Sequence, residues 1–406
     1  MYRVVTQVTI VQIPTEDFPQ RTKTISFDFV HEMECSDTWR DMTNDGKIVI
    51  PKNLYVRDAG NKLISLYGTN VNIGGFSNSN PLFLRGDSIT LDWGYKFFDK
   101  GKEVFRGTFN QEKNSHLFQG FISKVTSKKP IELHFEDNTW KLKQIPALTR
   151  TFKATETLEN ILKILLVDYN KANPNYQFTV NSLTSTTLGE FRTGDETIAE
   201  VLARLRKHYH FESYFKGNEL RCGAVIYIEG EANTHTFTFQ QDIISDELEY
   251  QRKEDTVISI VASNKVEELT GKMTKDGHAK TKCNRLEVLV TLRGGSDKPT
   301  VFIKKKGEDY PPNTGGERMT LPYPFAKNIT ELISLATAEI KKFYYTGFKG
   351  KFVTFGLPFV RMGDNVNFID PKLPERNGLY KVKGVEYSGG FDGLRQTIEL
   401  DYKLVI

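Results

Sequence analysis

The sequence predicts a mainly β protein with an α/β insertion, arranged as two β-barrel domains flanking a small α/β domain. Three observations predict it. Period-2 runs of apolar and β-branched residues, broken by Asn, Asp and Gly, fill both ends of the chain. Aromatic residues reach 12 %, with 28 Phe and 17 Tyr, which suits half-buried pleated surfaces better than helical bundles. Between the two ends, a pair of stretches switches to helical spacing.

The strands come first. Val4, Thr6, Val8 and Ile10 alternate, and similar runs follow at 24–30, 47–51, 62–67, 88–93, 117–122 and 131–135, enough for a closed or nearly closed small barrel over residues 1–147. In the α/β domain, 148–240, Leu158, Ile161, Leu162, Leu165 and Tyr169 form one helical stripe. Ile198, Val201, Leu202, Leu205 and Tyr209 form another behind Asp195, the expected N-cap. Residues 211–222 read as a hairpin turning at Lys216-Gly217-Asn218, and 224–240 add two short strands. The last domain, 241–406, is β again with one long helix at 328–346. Asn328 is its expected cap, with Glu331 three residues on as in a capping box, and Gly347 is its expected left-handed stop.

At 406 residues, a prior of ~150 residues per domain gives two or three domains. Lys and Arg number 55 against 51 Asp and Glu, and a net charge of +4 excludes a basic, nucleic-acid-coating protein. Cys35, Cys222 and Cys283 are three and widely spaced, which offers neither a disulfide framework nor a CxxC metal knuckle and suits a reducing compartment. No run approaches the ~18 apolar residues of a membrane span, so no membrane insertion is expected. Residues 1–7 alternate like a strand and lack a signal-peptide core, which predicts no Sec export.

An internal repeat links the two β regions. Phe83-Leu84-Arg85-Gly86-Asp87-Ser88-Ile89 is similar to Phe359-Val360-Arg361-Met362-Gly363-Asp364-Asn365-Val366, each a Gly-Asp turn running into an apolar strand. A second strand follows each copy, at 118–125 and at 380–387.

No motif reaches a catalytic constellation. Gly86-Asp87-Ser88 would be a nucleophile block, but Asp276-Gly277-His278 has the wrong spacing to complete it, and the second copy carries Asn365 in place of Ser88. Arg85-Gly86-Asp87 leads directly into a strand, so it is not an adhesion loop. His208 and His210 are two apart near a helix end and point to different faces, which denies them a shared metal. Lys304-Lys305-Lys306 reads as a solvated hairpin tip. Glu136-Asp137 and Glu267-Glu268 are strand neighbours facing opposite sides, which rules out a glycosidase pair within either doublet. There is no phosphate loop, GxGxxG unit or HExxH. No catalytic, cofactor-binding or metal residue is therefore assigned, and no cofactor is expected.

Several phrases resemble tail baseplate hub proteins, meaning the late-control protein D family of contractile phages and the hub half of type VI secretion spike proteins. They are 85–91 with 117–123, 135–143, the helix 197–210 with its hairpin, and, most specifically, 350–358, 363–366, 378–382 and 385–388. Residues 36–51 are similar to the first barrel of hubs from phage-like elements, and 265–325 fits least well, as an insertion would. The resemblance implies a non-enzymatic homotrimer whose two tube-like barrels per chain build a pseudo-sixfold ring joining the tail tube protein to the central spike protein. Other baseplate proteins would bind its periphery, and DNA or effectors would pass its channel without sequence-specific contacts. It implies a virion tail or injection particle assembled in the bacterial cytoplasm. No lysozyme-like domain is present, so no lytic activity is carried over. A β-rich carbohydrate-binding or carbohydrate-active protein is the alternative, although Trp39, Trp93 and Trp140 are few and scattered for a stacking platform.

Overall fold

The computed structural model describes residues 2–404 except 52–54, 58–62, 66–80, 109–115, 127–129, 175, 183–186, 225, 228–229, 274–278, 314, 324–325, 327 and 392. For Tyr2, 55–57, 63–65, 265–273 and 279–284 the description is of backbone alone.

Both β regions contribute to one sheet of 14 strands. Its first half runs through Asp45–Ile50, Ile131–Glu136, Phe118–Val125, Ser88–Asp99, Tyr2–Val11 and Thr24–Phe27, each antiparallel to the next. Ile243–Gln251, Gly347–Phe355, Arg395–Lys403 and Gly378–Gly390 make the second half, also antiparallel. The path is open, and no barrel closes among the described residues.

The halves meet at a seam where Gly378–Gly390 pairs with Glu32–Thr38, from Gly384 opposite Thr38 to Gly390 opposite Glu32. Gly384 permits the approach, because a Cβ there would lie 2.7 Å from the Thr38 Cβ. Side chains of both halves share one apolar core, with Val8, Ile10, Ile89 and Leu133 from the first and Phe352, Val366, Phe368 and Ile398 from the second. Burying one common core removes more apolar surface from water than two small ones would, which explains the continuous sheet.

A second core belongs to the segment between the halves. After the short helix α1, Thr139–Leu142, come α2, Leu158–Ala172, and α3, Ile198–Tyr209. Leu158, Ile161, Leu162 and Leu165 of α2 and Val201, Leu202 and Leu205 of α3 are buried together with Leu220 and Cys222 of a small sheet. In that sheet Glu212–Lys216 and Glu219–Gly223 form a hairpin, and Thr179–Asn181 lies parallel to its second strand. The cap of α3 is Thr197 and not the expected Asp195. The Thr197 hydroxyl accepts from the Glu200 amide while the Glu200 carboxylate accepts from the Thr197 amide, a reciprocal box that Asp195 cannot reach. Strand Thr234–Thr238 joins the large sheet, parallel to Asn365–Ile369.

A third core lies under α4, Ile329–Phe343. The long strands Val257–Met273 and Ala279–Arg293 pair with Glu317–Pro322 and Thr300–Ile303 in a separate four-stranded sheet. Leu332, Ala336 and Ile340 of α4 pack on Ile258, Ile260, Val288 and Val290 of that sheet. Asn328 caps α4 as expected, accepting from the Glu331 amide at 2.9 Å. The expected stop at Gly347 is corrected: the helix ends at Phe343, and Gly347 opens the strand Gly347–Phe355. A side chain there would meet the Tyr380 hydroxyl at 2.5 Å, so Gly347 serves close packing and not a left-handed cap.

Candidate functional site

The repeated Gly-Asp turns are both densely hydrogen-bonded, and each is built in the same way. In the first, the Gly86 amide donates to the Ile122 carbonyl at 2.8 Å and the Ile122 amide to the Asp87 carbonyl at 2.8 Å. In the second, Gly363 donates to Val382 at 3.0 Å and Val382 to Asp364 at 2.9 Å. Both glycines are left-handed, with φ of 96° and 85°. Ser88 then faces Phe121 across an antiparallel strand pair as Asn365 faces Lys381.

The aspartate side chains also match. Asp87 accepts from the Leu84 amide at 2.8 Å and the Ile13 amide at 3.0 Å, and Asp364 accepts from Arg361 and Asn233 amides at 3.0 Å each. The remaining partner differs. Arg21, 1 % exposed, grips Asp87 with two nitrogens at 2.9 and 2.5 Å and also donates to the Pro81 and Ile13 carbonyls. His235 Nε2 faces Asp364 at 3.1 Å.

Beside the second turn, a cleft of about 920 Å³ opens where the two β halves meet the middle segment, lined by Asp37, His116, Arg221, Tyr227, Arg361 and Asp364 among others. Its charges are already engaged. Arg361 donates to the His116 carbonyl at 2.5 Å, and Arg221 binds Glu219 and Glu231. Hydrogen bonds from Arg221 hold the Glu231 carboxyl down at about 2. Burial pushes the Asp37 carboxyl up, opposed by the Arg361 charge and the Met362 amide. With every one of these charges satisfied from within the chain, the cleft has the character of a braced joint.

The residues singled out in the sequence do not converge. Ser88 begins its strand beside an Asp87 fully occupied by Arg21 and two amides. His116 faces Asp92 at 3.0 Å, and His278 lies outside the described residues. His208 sits in the last turn of α3, while His210 is its left-handed C-cap, with burial pushing that imidazole below its ordinary value. Lys304 lies over the Tyr310 ring at 4.5 Å. Trp93 and Trp140 are 2 % and 5 % exposed, which leaves them no face for a sugar. Cys35 and Cys222 are buried free thiols, and Cys283 is described by backbone alone. Among the described residues no three His, Cys, Asp or Glu side chains gather as metal ligands, and no helix is long and apolar enough to cross a membrane.

Sequence reasoning missed Arg21, Tyr227 and the seam. An arginine ten residues past a strand carries no pattern of its own; the only signal was that a buried turn aspartate needs a partner.

No family model matches the sequence, and no curated protein matches it. Solved structures do match. The tail protein from Neisseria meningitidis MC58 aligns with 98 % of this chain and 96 % of its own, at a TM-score of 0.55 and 12 % identity. The 43 kDa tail protein of prophage MuSo2 from Shewanella oneidensis aligns over 97 % of each chain, at a TM-score of 0.50 and 10 % identity. The chain has the tail-protein fold. In this chain one Gly-Asp turn lies in each half of the large sheet, and the likeness of fold agrees with the resemblance read from the sequence.

Proposed function

We propose that the protein is a structural baseplate hub of a phage-type tail or contractile injection system. Three copies form a ring, each contributing two tube-like β-barrel halves with the α/β segment at the periphery. The ring joins a tail tube protein to a central spike protein, and cargo passes through without sequence-specific binding. Particle assembly takes place in the bacterial cytoplasm, and the role is non-enzymatic.

The observation that carries this reading is the duplicated Gly-Asp turn in a chain that aligns end to end with tail proteins. Two similar halves let a threefold ring present six near-equivalent positions, and the strands at the open ends of the sheet can pair across copies. An exposed apolar group supports an interface: Phe97, Val104 and Phe105, on the hairpin of Ser88–Asp99 with Lys102–Thr108, are 42 %, 63 % and 55 % exposed.

Light scattering of the purified protein tests the reading, with a trimer expected at tens of micromolar and each interface burying more than ~1,000 Å². A monomer that binds neither tube nor spike protein defeats it.

A further inference from the structure

The middle segment, 139–223 with its own core, is tied to the large sheet by one chain connection on each side, and both place an aromatic ring on a Gly-Asp turn. On the incoming side, the Trp140 ring of α1 covers Gly86, where a Cβ would lie 3.3 Å from it. Trp140 stacks on Phe121 at 5.5 Å with Lys141 above it at 5.0 Å. On the outgoing side, the Tyr227 ring covers Gly363, where a Cβ would lie 3.5 Å away, with Lys381 above it at 5.2 Å. Phe121 and Lys381 hold the same position in their strand pairs, opposite Ser88 and Asn365.

The two contacts are held differently. Trp140 is wedged by stacking, and the two residues before it are bonded to the middle segment and to the first half: Asn138 donates to the Gly217 carbonyl at 2.7 Å and Thr139 to the Met42 carbonyl at 3.1 Å. Tyr227 relies on a relay that crosses all three parts of the chain, accepting from Trp39 Nε1 at 2.8 Å and donating to Asp401 Oδ2 at 2.5 Å. Around it the outgoing stretch is fastened to the middle segment. The Ile226 carbonyl accepts from the Tyr214 hydroxyl at 2.6 Å, and Glu231 accepts from Arg221 and Lys216 at 2.8 and 2.7 Å. Only from Asn233 onward, bonded to Asp364, does the stretch belong to the sheet. The cleft beside Tyr227, about 920 Å³, gives that ring room to leave; the cleft beside Trp140 is smaller, about 420 Å³, and that ring is 5 % exposed and stacked on Phe121.

We propose that Tyr227 is a releasable pin. With its ring seated on Gly363 the middle segment is fixed against the seam, and with the ring withdrawn the segment turns about the Trp140 contact and the cleft widens. Tyr227 is a positioning residue in this scheme, acting on orientation without supporting either core. The inference concerns one chain and does not depend on ring formation.

Hydrogen exchange and small-angle X-ray scattering on the full chain test it with two variants. Tyr227→Phe keeps the ring and removes the relay, and is expected to raise exchange of the 226–235 amides about 10-fold while the α3 amides around Leu202 stay protected. Tyr227→Ala removes the plug as well, and is expected also to broaden the distance distribution in scattering. Should Tyr227→Ala fail to fold, Tyr227→Phe alone decides. Exchange within about twofold of the parent in 226–235, with unchanged scattering, overturns the pin. So does exchange that rises equally in the α3 core, because Tyr227 would then be an ordinary core residue.

Discussion

The first and second Gly-Asp turns share their main-chain bonds and part company in the slot beside them. Tyr2–Val11 runs antiparallel to Ser88–Asp99, so its C-terminal end brings Ile13 and then Arg21 to Asp87. Thr234–Thr238 runs parallel to Asn365–Ile369, so its N-terminal end brings Asn233 and His235 to Asp364. Opposite strand directions deliver a backbone amide to the same carboxylate oxygen. What is repeated is therefore a two-strand unit with a buried acceptor, and any neighbour that supplies donors at the turn completes it. The strands around the unit have been free to differ.

The largest expected effect separates the two partners. Arg21→Ala leaves Asp87, 1 % exposed, with two amides but no countercharge, which costs about 3–5 kcal/mol. His235→Ala removes one bond from Asp364, in a contact more open at 16 % and 7 % exposure, and costs about 1–2 kcal/mol. Urea unfolding followed by intrinsic fluorescence measures both. Equal losses would mean that the turns are held alike and that the arginine is incidental.

Next in size is a test of where the first half ends. Asp137 follows the last strand of that half and accepts from the Asn44 and Thr139 amides at 3.0 and 2.8 Å, a buried exit. Burial pushes its carboxyl up to about 6 despite those bonds, from an ordinary value of 3.8. The folded state then binds this proton more tightly than the unfolded chain does, so stability falls as pH rises through roughly 4 to 6. The effect is at most ~3 kcal/mol. Comparison of urea midpoints across that range should show a shallower fall for Asp137→Asn. Parallel profiles would show that Asp137 is solvated.

The glycines should respond alike, and this sharpens the repeat itself. Gly86→Ala and Gly363→Ala each force an L-residue to a φ near +90°, at roughly 1–2 kcal/mol. The aromatic ring over each site is at ordinary or slightly tight contact, 3.3 and 3.5 Å, so neither variant should carry a large extra clash. Unfolding midpoints that differ by more than about 1 kcal/mol would show that the turns are not equivalent.

How much was legible follows the same division between local and distant partners. The Gly-Asp units, the helical stripes of Leu158 and Leu202 and the cap at Asn328 are written within a few residues of themselves, and the structure places them as the spacing predicts. The cap at Thr197 was misread because Asp195 and Thr197 are both good caps, and the choice fell to Glu200, three residues beyond Thr197. Arg21, Tyr227 and the seam depend on partners 66, 174 and about 350 residues away, at Asp87, Asp401 and between Asp37 and Tyr387. The separate sheet of Val257–Met273 and Ala279–Arg293 was missed for a related reason. Long alternating strands look the same whichever sheet they join, and only packing beneath α4 distinguishes them.

The smallest effect is expected at the first residue after each turn, where the two copies differ most in chemistry. Asn365 accepts from the Lys381 ammonium at 3.0 Å and donates to the Thr234 hydroxyl at 3.3 Å, so Asn365→Ala leaves Lys381, 7 % exposed, without that acceptor. A loss of about 1 kcal/mol is expected. At Ser88 the equivalent position faces Phe121, and the neighbouring carboxylate is committed to Arg21, so the hydroxyl supports neither the turn nor a proton relay. Ser88→Ala should change stability by less than about 0.5 kcal/mol and leave hydrolysis of a chromogenic ester at its parental level. Stability loss equal to that of Asn365→Ala would show that the serine has a bonding role in the turn. Loss of an ester hydrolysis that the parent possesses would make Ser88 a nucleophile and would break the equivalence of the two turns at the one position where it could conceal chemistry.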